Sequence, residues 1–232
     1  MRFGCYVLIF FSFYVCSHEV LVYLKNNKII ERAKQQYGDD SEKLIKLWLK
    51  FINKASQENE WRQLHLVNNF FNQHIKYRTD LQLWKKTDYW ATPIETLAVG
   101  MGDCEDYVIA KYLTLIALGV NEQKIRFMYV RQTTVNEPHM VLIYFNQPNE
   151  TPFVLDNFNK QLLAATERKD LTPIYSFNGH GLWLAKSKGL GNKVKNSPGV
   201  SAWSLMLKRI EQGQLTPINN NFKGIANDVS RF

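Results

Sequence analysis

The stretch from Gly100 to Gly119 constrains the fold more than any other part of the chain. Gly100 and Gly102 break the backbone, and Asp103 follows as a candidate N-cap. From Cys104 onward CEDYVIAKYLTLIAL reads as one strong helix, closed by Gly119 as a C-cap. Val108, Tyr112 and Leu115 give it an apolar face that needs a partner. Three strand-like runs come next: Ile125 to Arg131, Met140 to Phe145, and Phe153 to Leu155. Turn segments carrying Asn136 and Pro138, then Pro148 and Asn149, divide them. The helix is expected to pack on the sheet those runs form.

Helices precede this region. Ser41 caps a predicted helix running to about Asn53, with Leu44, Ile45, Trp48, Leu49 and Ile52 near a 3.6-residue period. A second, from about Glu58 to Ile75, carries Trp61, Leu64, Leu66, Val67, Phe70 and Phe71. Residues 25–40 read as a polar loop, residues 76–93 as irregular, and Ile94 to Val99 as a short helix. Beyond the three strands, Pro173 to Phe177 and Leu182 to Leu184 look like further strands. A Gly/Lys/Asn loop (186–198) then leads to an amphipathic helix near Ala202 to Glu211 and a polar tail expected to fray. Helices first and strands after, without a repeat or a clean linker, predict one α+β domain. A chain of 232 residues that is 45% hydrophobic and 13% aromatic has the material for a packed core, which excludes a disordered chain. The expected divisions are a signal peptide at 1–17, a polar segment at 18–40, the main domain at 41–213 and the tail at 214–232.

The signal peptide rests on Arg2, the apolar run CYVLIFFSFYVC broken only by Ser12, and Ser17 at a small-residue boundary. The run is shorter than the roughly 20 residues a membrane helix needs. An uncleaved anchor continuing to Leu24, or a buried N-terminal strand or core helix, are the alternatives. No second long apolar run follows, so no stable membrane insertion is expected after signal removal. The three cysteines, Cys5, Cys16 and Cys104, are too few for a disulfide scaffold or a zinc cluster. Cleavage near Ser17 leaves Cys104 as the single thiol, either inert or kept for its reactivity. The balance of 29 Lys and Arg against 21 Asp and Glu gives +8. The basic residues are scattered, with modest clusters such as Lys186, Lys188, Lys193 and Lys195 and no nucleic-acid motif, so no nucleic-acid partner is expected. The charge suits an acidic protein partner instead.

Cys104 opens a predicted helix, where unpaired N–H groups and the helix dipole favour a thiolate. His139 stands at the entrance of one strand and Asp156 at the exit of the next. If those strands pair as an antiparallel hairpin, the two side chains meet at one edge of the sheet. Packing of the Cys104 helix on that sheet then assembles nucleophile, base and orienting carboxylate. Each residue also has an ordinary reading: a small core cysteine, a loop histidine beside a proline, a turn aspartate. His65, His74 and His180 have no matching acid at a neighbouring strand end.

Several segments resemble the bacterial transglutaminase-like cysteine proteinase family, in its LapG-type branch of periplasmic adhesin proteases. They are Trp90-Ala91-Thr92-Pro93-Ile94-Glu95, GMGDCEDYVIAK from Gly100 to Lys111, His139-Met140-Val141-Leu142, Leu155-Asp156-Asn157, and Tyr175 to Gly179 with Gly181 to Leu184. The resemblance runs from about residue 60 to about residue 210. It implies a papain-like, transglutaminase-like cysteine proteinase fold and proteolysis by Cys104, His139 and Asp156. It implies a periplasmic location and, as substrate, a large surface adhesin cut near its N-terminus at a site with paired alanines, releasing biofilm cells. It also implies control by the periplasmic domain of an inner-membrane cyclic-di-GMP receptor.

Asp103, Glu105 and Asp106 surround the thiol. Acids suit a helix N-terminus, yet they disfavour a neighbouring thiolate. A cation would remove the conflict, carboxylates are hard ligands suited to Ca²⁺, and the resembled family is calcium-dependent through the acids flanking its cysteine. Asp103 and Glu105 are therefore assigned as calcium ligands, with Asp106 as a third candidate. Cys104's backbone N–H is the natural oxyanion donor, and Trp84 and Trp90 are candidates for a second donor or for groove aromatics. A transglutaminase or amidase on the same fold and a non-catalytic periplasmic binding module are the rival readings.

Overall fold

The computed structural model describes residues 21–23, 25–185, 191–196 and 199–222. The expected signal peptide with Cys5 and Cys16, Lys186 and Lys188 of the loop, and the tail beyond Phe222 lie outside the described residues. Among the described residues no helix is long and apolar enough to cross a membrane.

From Asn27 onward the described chain runs through α1 (Asn27–Tyr37), α2 (Ser41–Ala55) and α3 (Glu60–His74). Then come β1 (Lys76–Tyr77), α4 (Asp80–Trp84), α5 (Pro93–Val99), β2 (Met101–Gly102) and α6 (Cys104–Ala117). The second half holds β3 (Ile125–Gln132), β4 (Glu137–Tyr144), β5 (Phe153–Leu155), β6 (Leu163–Ala164), β7 (Leu171–Asn178), β8 (Gly181–Leu184), β9 (Asn192–Lys195) and finally α7 (Ser201–Gln212). Among the described residues, seven strands form one antiparallel sheet in the order β6-β5-β4-β3-β7-β8-β9, and β1 and β2 form a separate parallel pair. The α+β arrangement is the expected one: helices on a mostly antiparallel sheet.

The centre of the molecule is α6. Every residue from Asp106 to Ala117 is buried, because α3 and α5 cover one side of the helix and β4 the other. A helix this apolar has no solvent face and must be sandwiched. Trp203 of α7 closes the core, edge-on to Tyr112 and Phe127 with ring centroids 5.6 and 4.9 Å away. On the opposite face of the sheet, Val130, Val141, Ile143, Phe145 and Val154 form a second apolar cluster. That explains why β4 reads as a continuous apolar run: it is buried on both faces.

Four expectations need correction. Residues 25–40 are not a loop, since Asn26 caps α1 through the Lys28 N–H and the helix buries Ile29, Ile30, Ala33 and Tyr37. Segment 76–93 contains α4, whose entry is held by Gln82 accepting from the Thr79 N–H. The chain after Gly213 does not fray at once. Thr216 takes the Tyr37 hydroxyl on its carbonyl and gives its N–H to Glu95, and Asn219 donates to the Leu83 carbonyl. Part of the Gly/Lys/Asn loop is strand β9.

Truncating Trp203 to Ala removes the aromatic plug of the core. The variant is expected to lose about 3–5 kcal/mol in urea unfolding. A loss below about 1 kcal/mol would mean that α7 is not part of the cooperative core.

Candidate active site

The turn before α6 is clamped on two sides. Tyr77 pairs with Gly102 in the parallel ladder, and Lys76 and Arg78 donate their N–H groups to the carbonyls of Gly100 and Gly102. Gly100 ends α5 at φ 67°, in the left-handed region where glycine is favoured. Gly102 is needed for space instead: a Cβ there would lie 2.7 Å from the Asp106 side chain. These contacts leave Cys104 half-buried at the first position of α6.

His139 sits inside β4, two residues beyond the strand's first residue Glu137, rather than at its entrance. β4 and β5 pair antiparallel with Leu142 opposite Leu155, so continuing the register sets Asp156 opposite Val141, one diagonal step along the strand from His139. His139 Nε2 and Asp156 Oδ1 are 2.8 Å apart. This contact leaves Nδ1 as the remaining ring nitrogen. Asp156 Oδ1 also accepts the Phe158 N–H at 3.0 Å, and Oδ2 accepts from Arg168 Nη2 at 2.7 Å. Arg168 is in turn held by Asp170 through Nε and Nη2. Burial alone would raise the Asp156 carboxyl. The hydrogen bond and charge of His139, the Phe158 N–H and the Arg168 guanidinium instead hold it well below the usual carboxylate range. These contacts favour the anionic form of Asp156 beside the imidazole.

The thiol faces two opposing influences. Burial, then the charges of Glu105 and Asp103, push Cys104 well above the ordinary thiol range. Its Sγ donates to Glu105 Oε2 at 3.0 Å. The backbone N–H of Met140, next to His139, acts on the sulfur in the opposite, stabilising sense. Cys104 at the start of α6 thus neighbours the Met140 backbone, and His139, one residue earlier on β4, is paired with Asp156.

Those acids extend beyond the expected set. Oxygens of Asp80, Asp103 and Asp106 lie within 4.8 Å of one another, and a second group joins Asp80, Asp88 and Glu105. Asp106 is fully buried and accepts the N–H groups of Ala91 at 2.8 Å and Asp103 at 3.3 Å. Asp80 accepts the Tyr89 N–H at 2.5 Å. The outer oxygens, Asp80 Oδ1 and Asp103 Oδ1, are buried with no hydrogen-bond partner. Burial, aided by the charges of Glu105 and Asp88, pushes Asp80 up to about 7. Burial and the neighbouring carboxylates drive Asp103 and Asp106 upward too. Orphaned carboxylate oxygens on crowded buried acids are the donor set a hard divalent cation takes. Nothing in the local sequence marks Asp80 and Asp88 as partners of Asp103 and Asp106, because only the fold brings α4 and the loop after it to the start of α6.

Trp84 and Trp90 are both core aromatics. Trp84 packs on Tyr37 and Tyr89, with its Nε1 buried and unpartnered, and Trp90 stacks on Phe127 and Phe177.

The sequence model of the bacterial transglutaminase-like cysteine proteinase family matches residues 48–172. Among solved structures, Legionella pneumophila LapG is 38% identical over 79% of this chain and 96% of its own, with a TM-score of 0.66. Its calcium-bound form, also 38% identical over 79% of this chain, is covered to 98% at a TM-score of 0.67. The EGTA-treated form has the same identity and share of this chain, 96% of its own, and a TM-score of 0.67. No curated protein sequence matches the chain.

Removing Arg168 would leave Asp156 buried without its strongest fixed cation. Arg168→Met is expected to cost about 3–5 kcal/mol at pH 7 in urea unfolding. Asp156 is held below its unfolded value of about 3.9, so the contribution is full above about pH 4 and is lost as pH falls further. The gap between wild type and variant should therefore narrow below pH 4. An equal gap at pH 7 and pH 3 would show that Arg168 acts by packing rather than by charge.

Proposed function

The chain belongs to the bacterial transglutaminase-like cysteine proteinase family, and on that premise we propose that it is a calcium-dependent cysteine endopeptidase in which Cys104 is the nucleophile, His139 the base and Asp156 the orienting acid. The observation that carries the reading is the 2.8 Å contact of His139 with Asp156, on the strand whose next residue, Met140, reaches the Cys104 sulfur. In the proposed mechanism His139 takes the thiol proton as Cys104 attacks a peptide carbonyl, forming a tetrahedral oxyanion. The backbone N–H of Cys104, unpaired at the helix start, stabilises that charge. His139 then returns the proton to the leaving amine, giving a thioester. Water, deprotonated by His139, resolves the thioester to a free carboxyl product and the restored thiol. Asp156 keeps the imidazole in one orientation and stabilises its protonated form.

Asp80, Asp103 and Asp106 are the proposed calcium ligands, with Glu105 and Asp88 at the rim of the site. A bound calcium ion would supply the positive charge these acids lack, relieving their pressure on the Cys104 thiol. The sequence-based assignment of Asp103, Glu105 and Asp106 is thus widened by two acids from α4 and the loop after it.

For the substrate we propose a large surface adhesin, cut near its N-terminus in the periplasm to release biofilm cells. The proposed control is sequestration by the periplasmic domain of an inner-membrane cyclic-di-GMP receptor. Both follow from the family rather than from the site, and the net charge of +8 is consistent with an acidic partner.

Cleavage of the organism's large surface adhesin, assayed with and without chelator, tests the whole reading. The expected result is cleavage that chelation abolishes and that Cys104→Ala lacks while remaining folded. A Cys104→Ala protein that still cuts would end the catalytic assignment. Calcium is also expected to speed iodoacetamide labelling of Cys104 at pH 7 by about tenfold or more. The double variant Asp80→Asn/Asp103→Asn should lose both that acceleration and calcium binding in calorimetry. Unchanged binding in the double variant would move the ion elsewhere.

A further inference from the structure

Lys111 is fully buried in the middle of the most buried helix of the protein. Its ammonium donates to Asn68 Oδ1 at 2.9 Å, Asn72 Oδ1 at 2.9 Å and the main-chain carbonyl of Asp156 at 3.1 Å. Three acceptors thus use all three donors of the group. Asn72 Nδ2 donates to the same Asp156 carbonyl at 2.7 Å, and Asn68 Nδ2 to the Lys160 carbonyl at 2.8 Å. Burying an ammonium among neutral oxygens costs stability, and an apolar side chain of similar length would fill the same space without that cost. The lysine therefore needs a reason other than packing.

The reason lies in what the other contacts of Asp156 do. The bonds from His139, Phe158 and Arg168 all come from the sheet or from chain adjoining it. They set Asp156 against His139, which belongs to the same sheet. They say nothing about where the pair stands relative to α6, which carries the thiol. Lys111 lies seven residues after Cys104 on that helix, two turns on, nearly the same side, and about 10 Å along the axis. Its contact with the Asp156 carbonyl closes a ring: thiol, helix, Lys111, Asp156, His139, Met140 and back to the thiol. The α3 asparagines brace the ammonium from the far side.

We propose that Lys111 is a positioning residue for the cleavage reaction: it registers Asp156, and through it His139, against the helix that presents Cys104. The inference rests on the reading of Cys104, His139 and Asp156 as the catalytic set. A loss of register of even about 1 Å between base and nucleophile lowers turnover without weakening substrate binding.

The test is Lys111→Met in the full protein, with kcat and KM measured on the same adhesin substrate beside a thermal melt and iodoacetamide titration of Cys104. The expected variant is folded, melts at or above the wild-type temperature, and keeps an alkylatable thiol. Its kcat falls about tenfold or more while KM stays within about twofold. A second variant, Lys111→Met/Asn68→Leu/Asn72→Leu, removes the polar pocket as a whole. It should be as slow, which guards against a single variant that misfolds around orphaned amides. Turnover within about twofold of wild type in either folded variant overturns the proposal. So does a loss that vanishes once rates are normalised to folded, alkylatable enzyme, because that is a stability effect alone. Failure of the catalytic reading itself shows separately, as cleavage by Cys104→Ala in the wild-type background.

Discussion

The burial of α6 is the constraint from which the rest of the molecule follows. A helix with no solvent face has to be covered on all sides, and α3, α5 and β4 supply the cover. The same burial fixes the position and direction of its N-terminus. Cys104 is held there at the boundary between the helical layer and the sheet, and the glycine turn before it is clamped by β1. A side chain at the end of a fully packed rod has little freedom to drift, the precision that the proposed acyl transfer would need.

Electrostatics divide the site into two zones of opposite character. On the sheet side, Asp156 is surrounded by donors and by the Arg168 guanidinium, so its charge is well compensated. On the helix side, Asp80, Asp103 and Asp106 crowd together with orphaned oxygens on Asp80 and Asp103, and the charge of Lys86 only partly offsets them. The first zone is complete with protein groups alone. The second has the character of a half-built ion site, and the thiol lies between the two. Under the proposed reading, a cation in the acidic zone would act on the Cys104 thiol without disturbing the His139–Asp156 pair.

How much of this was legible in the sequence follows the range of the interactions. The helix from Cys104, the helices near Ser41 and Glu58 and the central strands are governed by local periodicity, and their elements stand within a few residues of where the pattern puts them. The meeting of His139 and Asp156 was legible because antiparallel pairing brings the residue after β5 within a diagonal step of His139 near the beginning of β4. α1 was overlooked because its Lys, Glu, Arg and Gln residues mask a sparse buried stripe of Ile29, Ile30, Ala33 and Tyr37.

Taken alone, the chain determines that an acidic, glycine-led turn presents one thiol at the head of an apolar helix, and that a sheet follows to receive it. These are statements about neighbours within about a dozen residues, where spacing and propensity govern. Tertiary structure alone decided that Asp80 completes the acidic cluster, that Arg168 secures Asp156, and that Lys111 and two asparagines of α3 grip the carbonyl behind it. Each of these joins elements whose approach is set by packing of the whole core. A buried charge looks the same in sequence as an exposed one until the fold shows what surrounds it.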